Sequence, residues 1–347
     1  MKRTLRPRRK LEAKHKLVIV LIVLVLLLDA LYLISSYQKK KAETEPTVTD
    51  STVDLSVQNL DAVTGITWDY GGDVFSLSRE DGVWYNAQDD AFPVKQSLAD
   101  QMLQALGNIT STQVITDVYD YAQYGLESPT MTLTVSLGNG SSDLTIGNQN
   151  PLTEDYYIRI DTSKNTVYTI SADLIKAFSY GKNDLLQMET LPSFGIAVSI
   201  DVENANGSFT AVRDLTKDDE NAVWSLETGT ALDSAKVEEL VNYAIGTSWL
   251  SCVTYSATNQ DLNDYGLKDP AAIVTLTDEN DVSFTLCIGY DAQDVPVKTD
   301  GFLGTTTSED AERPEGTFAR FPGSNMIYLI GTDTAEQFKT VSAAALQ

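Results

Sequence analysis

Hydrophobic and polar positions along the chain fall into three regimes. Residues 17–28 are an unbroken apolar run, and the hydrophobic segment continues to about residue 37. That is long enough for a spanning helix, which needs ~20 such residues. Residues 38–61 are polar, rich in Thr, Val, Ser and acids, with Pro46. This composition predicts a flexible linker, with a β-tinged part near 53–57 that could join the first sheet. From residue 62 onward, short stretches of strand alternation such as Val74-Phe75-Ser76-Leu77-Ser78 are interleaved with helical periods. One helix is predicted over 95–106, with Leu98, Met102, Leu103 and Leu106 on one face. A second is predicted over 234–245, with Val237, Leu240, Val241 and Ile245 on one face and Asp233 as its N-cap. Gly107 and Gly246 follow the two helices, where a left-handed closing residue is favoured.

The pattern occurs twice. Trp84 precedes the first helix and Trp224 the second, 140 positions apart. Tyr124-Gly125-Leu126-Glu127-Ser128-Pro129 returns 141 positions later as Tyr265-Gly266-Leu267-Lys268-Asp269-Pro270. Each copy leads into a predicted hairpin, 131–137 with 143–146 and 272–276 with 283–288. Each hairpin ends in Ile-Gly, at Ile146-Gly147 and Ile288-Gly289. Tyr168 then corresponds to Tyr328, but the offset has grown to 160, which places an insertion around 291–318. Short helices close the modules, 172–180 capped by Ser171 and 334–345 capped near Asp333. The fold class expected is α+β: an N-terminal transmembrane helix, then two tandem modules of largely antiparallel sheet, at 62–190 and 191–347. The helices are too few to supply the crossovers of a parallel sheet.

The repeated element has a physical reading. Gly125 and Gly266 permit a positive φ in a turn, Leu126 and Leu267 drop into the core, and Pro129 and Pro270 bias the chain toward an extended entry to the next strand. Tyr124 and Tyr265 either bury a ring in that turn or present it on a binding loop. The order Trp, helix, Tyr-Gly-Leu-x-x-Pro, strand pair ending in Ile-Gly, then Val/Ile-Tyr resembles the bacterial domain of unknown function 4340 family, in two copies from about Ile66 to the C-terminus. Members of that family look like membrane-anchored extracytoplasmic proteins, some resembling auxiliary components of ABC transport systems. The resemblance supplies no catalytic residues.

The N-terminus predicts an orientation. Eight basic residues precede the apolar run against one acid, Glu12, while Lys39, Lys40 and Lys41 follow it. That bias favours an N-terminus inside and the modules outside. No Ala-x-Ala-like site and no lipobox cysteine follows the run, so an uncleaved single-pass anchor (residues 17–37, after a cytoplasmic tail at 1–16) is expected. Asp29 lies within the run. It either sits toward the outer interface or pairs with a polar group on a partner helix such as a permease.

Charge and chemistry narrow the function. The chain carries −24; beyond residue 41 there remain 14 basic against 47 acidic residues, a net −33. Such a surface repels nucleic acid. Acid runs at 218–220 and 309–310 read as solvated loops, without the spacing of a calcium loop. Cys252 and Cys287 are compatible with a disulfide or with two buried thiols. The sole histidine, His15, precedes the anchor, so the modules offer no Ser-His, Cys-His or histidine-metal arrangement. Neither cofactor nor metal is expected. Trp68, Trp84, Trp224 and Trp249 offer a sugar platform or core packing, and the repeat spacing of Trp84 and Trp224 favours core. The expected function is a non-enzymatic accessory or interaction module of a membrane complex such as an ABC-type transporter. The alternatives are a cell-surface glycan- or peptide-binding protein and an enzyme working with carboxylates alone.

Overall fold

The computed structural model describes residues 27–33, 46–216, 223–295 and 314–347. The basic tail, most of the expected spanning segment, both acid runs and most of the expected insertion lie outside these residues. Residues 27–33 are helical and exposed. No helix among the described residues is long and apolar enough to cross a membrane.

The chain forms two compact units. Among the described residues, one contains those up to Trp84 together with Ser97–Tyr180; the other contains Tyr85–Gln96 and those from Gly181 to Gln347. The boundary therefore falls before the expected 190/191, and Tyr85–Gln96 belongs with the second unit. The reason lies in its contacts there. Phe92 is buried edge-on to Tyr255 at 5.2 Å, the Lys182 ammonium lies 5.6 Å from both rings, and the Tyr255 hydroxyl donates to Asp89. Val94 bridges Leu186.

The first unit is a sheet of nine strands: β1 (Thr47–Thr49), β2 (Val63–Tyr70), β3 (Asp73–Glu80), β4 (Val83–Asn86), β5 (Ser111–Thr116), β6 (Met131–Leu137), β7 (Gly140–Gln149), β8 (Tyr156–Ile160) and β9 (Val167–Ile170). Their spatial order is β1-β5-β9-β8-β7-β6-β2-β3-β4. The second unit has eight: β10 (Ala197–Asn204), β11 (Gly207–Arg213), β12 (Trp224–Leu226), β13 (Ser251–Thr254), β14 (Ala272–Asp278), β15 (Ser283–Asp291), β16 (Thr317–Arg320) and β17 (Ile327–Ile330). Their order, β13-β17-β16-β15-β14-β10-β11-β12, repeats the first strand for strand, apart from β1. Both sheets are antiparallel. Register irregularities recur as well: Val63/Gly65 with Ala197/Ser199, Ile146/Gln149 with Ile288/Asp291, and Ser111/Gln113 with Cys252/Thr254. Bulges re-aim a strand and persist as built features. Three at matching places make the duplication structural as well as textual.

Helices α1 (Gln96–Leu106) and α4 (Ser234–Ile245) occupy equivalent places after β4 and β12; the short α2 (Asp173–Ala177) and α3 (Lys182–Leu185) lie between the two sheets in sequence. The buried face of α1 is the expected one with Ala99 added. In α4 the face is Val237, Leu240, Val241 and Ala244, while Ile245 is exposed, because 237, 240, 241 and 244 complete the stripe. The Asp233 carboxylate accepts from the N–H groups of Ala235 and Lys236, as a cap should.

Several local expectations are corrected. Gly246 is right-handed at φ −77°, and Gly107 is not left-handed either. Space accounts for them instead: a Cβ would lie 2.9 Å from the Asn242 carbonyl oxygen and 2.9 Å from Leu60 Cδ1, respectively. Part of the expected linker 38–61 is built into the first sheet. β1 pairs with β5, and the N–H groups of Leu55 and Val57 donate to the carbonyls of Ile109 and Leu106, each at 2.8 Å. The α2 helix, Asp173–Ala177, is shorter than 172–180: it starts where the Ser171 hydroxyl accepts from the Asp173 N–H, and it ends at Phe178, whose backbone (φ −117°, ψ 10°) leaves the helical region. Helix α6 (Thr332–Thr340), which follows α5 (Asn259–Asp264), begins at Gly331 as N-cap rather than near Asp333.

Two apolar layers flank the second sheet. One collects Val274, Leu276, Leu286 and Ile288 with α4 and α6; the other collects Cys287, Phe318, Ile327 and Leu329 with Tyr265 and Leu267. Neighbours along a strand point to opposite faces, so helices cover one face while the Tyr-Gly-Leu segment covers one end of the other.

Candidate functional site

Gly125 and Gly266 are left-handed, at φ 72° and 68°, so both need the freedom of glycine. Leu126 and Leu267 are buried at 4% and 1% exposure. The Tyr124 ring meets Tyr157 edge-on at 4.9 Å, and the Tyr265 ring stacks on Phe318 at 4.2 Å. Burial, then Tyr157 and Asp120, holds the Tyr124 hydroxyl above its ordinary range. Both rings are buried, so neither is presented by a binding loop. Pro129 and Pro270 stand two residues before β6 and β14.

The repeated Ile-Gly explains itself against the repeated Tyr. A Cβ on Gly147 would fall on the Tyr124 carbonyl oxygen, and one on Gly289 on the Tyr265 carbonyl oxygen. In the second unit, the Tyr290 N–H donates to that same oxygen at 3.0 Å. Tyr-Gly-Leu and Ile-Gly are therefore the two halves of one backbone contact, made once in each unit.

The tryptophan landmarks are equally internal. Trp84 and Trp224 are buried, and their indole N–H groups donate to the helix carboxylates of Asp100 (3.0 Å) and Glu238 (2.8 Å). Glu238 also lies 3.4 Å from the guanidinium of Arg213.

A family model described as Domain of unknown function (DUF4340) matches residues 84–246 and again residues 224–344. The two matches open on Trp84 and Trp224. The chain belongs to this family. No curated protein and no solved structure matches it.

A second polar feature of this DUF4340 chain is a half-buried row of hydroxyl and carboxylate side chains on each sheet. By register, Ser76, Thr67, Thr134 and Asp143 form a row across β3, β2, β6 and β7, and Thr210, Asp201, Thr275 and Thr285 form the equivalent row across β11, β10, β14 and β15. Neighbours in the rows are bonded: Thr67 with Ser76 (2.8 Å), Thr134 to Asp143 (2.6 Å), Thr210 to Asp201 (2.5 Å) and Thr275 with Thr285 (2.8 Å). A hydrogen bond with Asp143 holds the neighbouring Asp161 carboxyl above its ordinary range. In the second unit this face opens into a cavity of about 540 Å³, whose lining includes Asp201, Glu203 and Glu227 with Thr210, Thr275 and Ile273. Such a surface can accept hydrogen bonds from hydroxyl-rich or cationic groups.

Cys252 and Cys287 are free and buried. They lie on β13 and β15, with β17 and β16 between. Three strand spacings of ~4.8 Å put them ~14 Å apart, beyond the ~7 Å that a disulfide spans. Burial pushes the Cys252 thiol up to about 12 and raises that of Cys287.

Trp68 is core and Trp249 is half-buried, stacked on Tyr328 at 4.1 Å, so the four tryptophans make no sugar platform. Glu189 was not singled out by sequence. Its carboxylate accepts from Ser324 (2.7 Å) and Tyr328 (3.1 Å), and its carbonyl accepts from the Trp249 indole (2.7 Å), pinning the strandless stretch before β10. No periodicity marks such a residue. Asp29 lies in the exposed helical stretch 27–33; His15 is outside the described residues. Among the described residues no cluster of metal-ligand type occurs.

Proposed function

We propose that this chain is a single-pass, membrane-anchored extracytoplasmic protein serving as a non-enzymatic accessory or interaction module of a membrane complex such as an ABC-type transporter. The observation that carries this reading is the use made of the repeated motif. In both units its tyrosine carbonyl, glycines and leucine are consumed in packing the backbone, so what was duplicated is a scaffold. The apolar run 17–28 behind eight basic residues supports the anchor and an inside N-terminus. The transporter association follows from the auxiliary components that other family members resemble.

Extraction of membranes at alkaline pH, with protease shaving of intact cells, tests the anchor: the chain should stay in the pellet and lose its modules. Affinity capture from solubilised membranes tests the complex. A membrane protein should co-purify, and Asp29→Leu should weaken its recovery. Recovery of no membrane partner, with Asp29→Leu behaving as wild type, removes the reading. The second reading, a glycan- or peptide-binding surface protein, is favoured by the hydroxyl- and acid-lined cavity of the second unit. Binding screens against cell-wall fragments decide it.

A further inference from the structure

The dipeptide Asn-Gly occurs twice in the chain, at Asn139-Gly140 and at Asn206-Gly207. Both stand in the same local setting. Gly138-Asn139 and Ala205-Asn206 are two-residue hairpin loops, closed by the pairs Leu137 with Gly140 and Asn204 with Gly207. Asn139, Gly140, Asn206 and Gly207 are all exposed, and a Cβ on either glycine would meet nothing within 4 Å. Water therefore reaches both dipeptides, and neither glycine carries a side chain that would shield its backbone nitrogen.

The two asparagine side chains are held differently. Asn206 Nδ2 donates to the Thr340 carbonyl, at the end of α6, at 2.7 Å, and the Asn206 N–H donates to Asn204 Oδ1 at 2.8 Å. Asn204 Nδ2 donates in turn to the carbonyls of Phe338 (2.7 Å) and Val341 (2.8 Å), so this loop is strapped to the helix end. The Asn139 amide makes no hydrogen bond among the described residues. Its loop is tied through backbone, where the Gly138 N–H donates to the Ala62 carbonyl at 3.2 Å.

We infer that Asn139 is a site of self-modification, which converts it to aspartate and isoaspartate with water as the co-reactant. The Gly140 backbone nitrogen attacks Asn139 Cγ and forms the new C–N bond of a five-membered imide. The side-chain nitrogen leaves as ammonia and takes the Gly140 amide proton with it. Water then opens the imide. Breaking the bond from nitrogen to Cγ gives aspartate; breaking the bond from nitrogen to the main-chain carbonyl carbon gives isoaspartate, and nothing is oxidised or reduced. At Asn206 the same attack must first pull the amide off the Thr340 carbonyl. Either product sets a new carboxylate in the cleft that Asn139 lines with Leu137 and Ser142. Isoaspartate also adds a methylene to the backbone of a loop that has only two residues with which to absorb it. The inference stands apart from the proposed function and from the anchor.

The test incubates the detergent-solubilised full chain in warm, mildly alkaline buffer, beside a sample unfolded in guanidinium chloride. Peptide mapping with electron-transfer fragmentation reads each Asn-Gly by its gain of about one dalton and tells aspartate from isoaspartate. Unfolded, the two sites should convert at similar rates, and that conversion sets the clock. Folded, Asn139 should give both products while Asn206 lags at least about tenfold, the ratio that one retained hydrogen bond supplies. Gly140→Ala should slow conversion of Asn139 at least about tenfold, because its methyl shields the attacking nitrogen. Should that variant misfold, the wild-type products make the same distinction, since direct hydrolysis of the side chain gives aspartate without isoaspartate. Retention of Asn139 in the folded chain after the unfolded sample has fully converted overturns the inference. So does equal conversion of Asn206 in the folded chain, or aspartate alone at Asn139.

Discussion

Gly289→Ala isolates the contact on which the repeated motif depends. Gly289 is not in the left-handed region, so alanine meets no backbone strain of its own. At an unconstrained site of that kind the change stabilises by ~0.4–1 kcal/mol, through the unfolded chain. Here the new methyl falls on the Tyr265 carbonyl oxygen, with Leu267 Cδ2 at 3.1 Å and the Gly266 carbonyl carbon at 3.2 Å. Two of these three atoms are backbone and have no rotamer to move to. Forcing a methylene-sized group into such a site costs ~1–3 kcal/mol. Displacing the Tyr265 carbonyl also strains the Tyr290 N–H bond to it, worth a further ~0.5–1.5 kcal/mol. Set against the gain through the unfolded chain, the expected net loss is ~1–4 kcal/mol, large against the ~5–15 kcal/mol that holds a domain folded. Urea unfolding of the full chain followed by tryptophan fluorescence measures it, with Trp224 and Trp249 reporting on the second unit. Gly138→Ala is the internal control, since nothing lies within 4 Å of its Cβ and its φ is ordinary. A Gly289→Ala variant within ~0.5 kcal/mol of wild type would refute the view that Tyr-Gly-Leu and Ile-Gly form one device.

Maleimide should leave both cysteines unmodified in the native protein at about pH 8, because each thiol is buried and raised above the usual ~8.5. An intact mass lighter by two hydrogens, restored by reductant, would contradict the strand separation. Burial alone would raise the Asp278 carboxyl, but its bonds from the N–H groups of Gly195, Val282 and Asn280 outweigh burial and hold it below the ordinary aspartate range. A lowered carboxyl contributes stability that is complete above its unfolded pKa and drains as pH falls through its folded one. Asp278→Asn should therefore melt earlier than wild type near neutrality, and the gap should narrow as the pH falls below the ordinary aspartate range and the carboxylate is protonated in the folded chain as well; a gap independent of pH counts against the bonds.

Much of this architecture was legible because duplication turns weak local signals into paired ones. A glycine, a tryptophan or a Tyr-Gly-Leu turn means little alone, yet each recurred at nearly the same offset. The α4 helix was found to the residue, since its period and its Asp233 cap agree. Strands β5, β8, β13 and β16 were not singled out. They are short, and buried and half-buried positions do not alternate along them, so no clean period marks them. β1 was missed by several residues because Thr47–Thr49 is exposed throughout and owes its place to backbone pairing with β5. Gly147 and Gly289 were noticed as strand ends, but their carbonyl contacts run between segments more than twenty residues apart, which no local pattern encodes.

What the copies share and where they part then carry different information. Positions that agree, such as Gly147 and Gly289 or Trp84 and Trp224, are held by contacts internal to each sheet; they describe how a unit folds. Positions that disagree within the same framework are free of that demand. Ser142 against Phe284 and Asn148 against Tyr290 are the clearest, each on β7 or β15 in matching register. The phenylalanine closes its unit on itself, whereas the serine leaves half-buried apolar walls around a cleft of about 360 Å³ among the described residues, so one side chain decides whether this corner of the framework is filled.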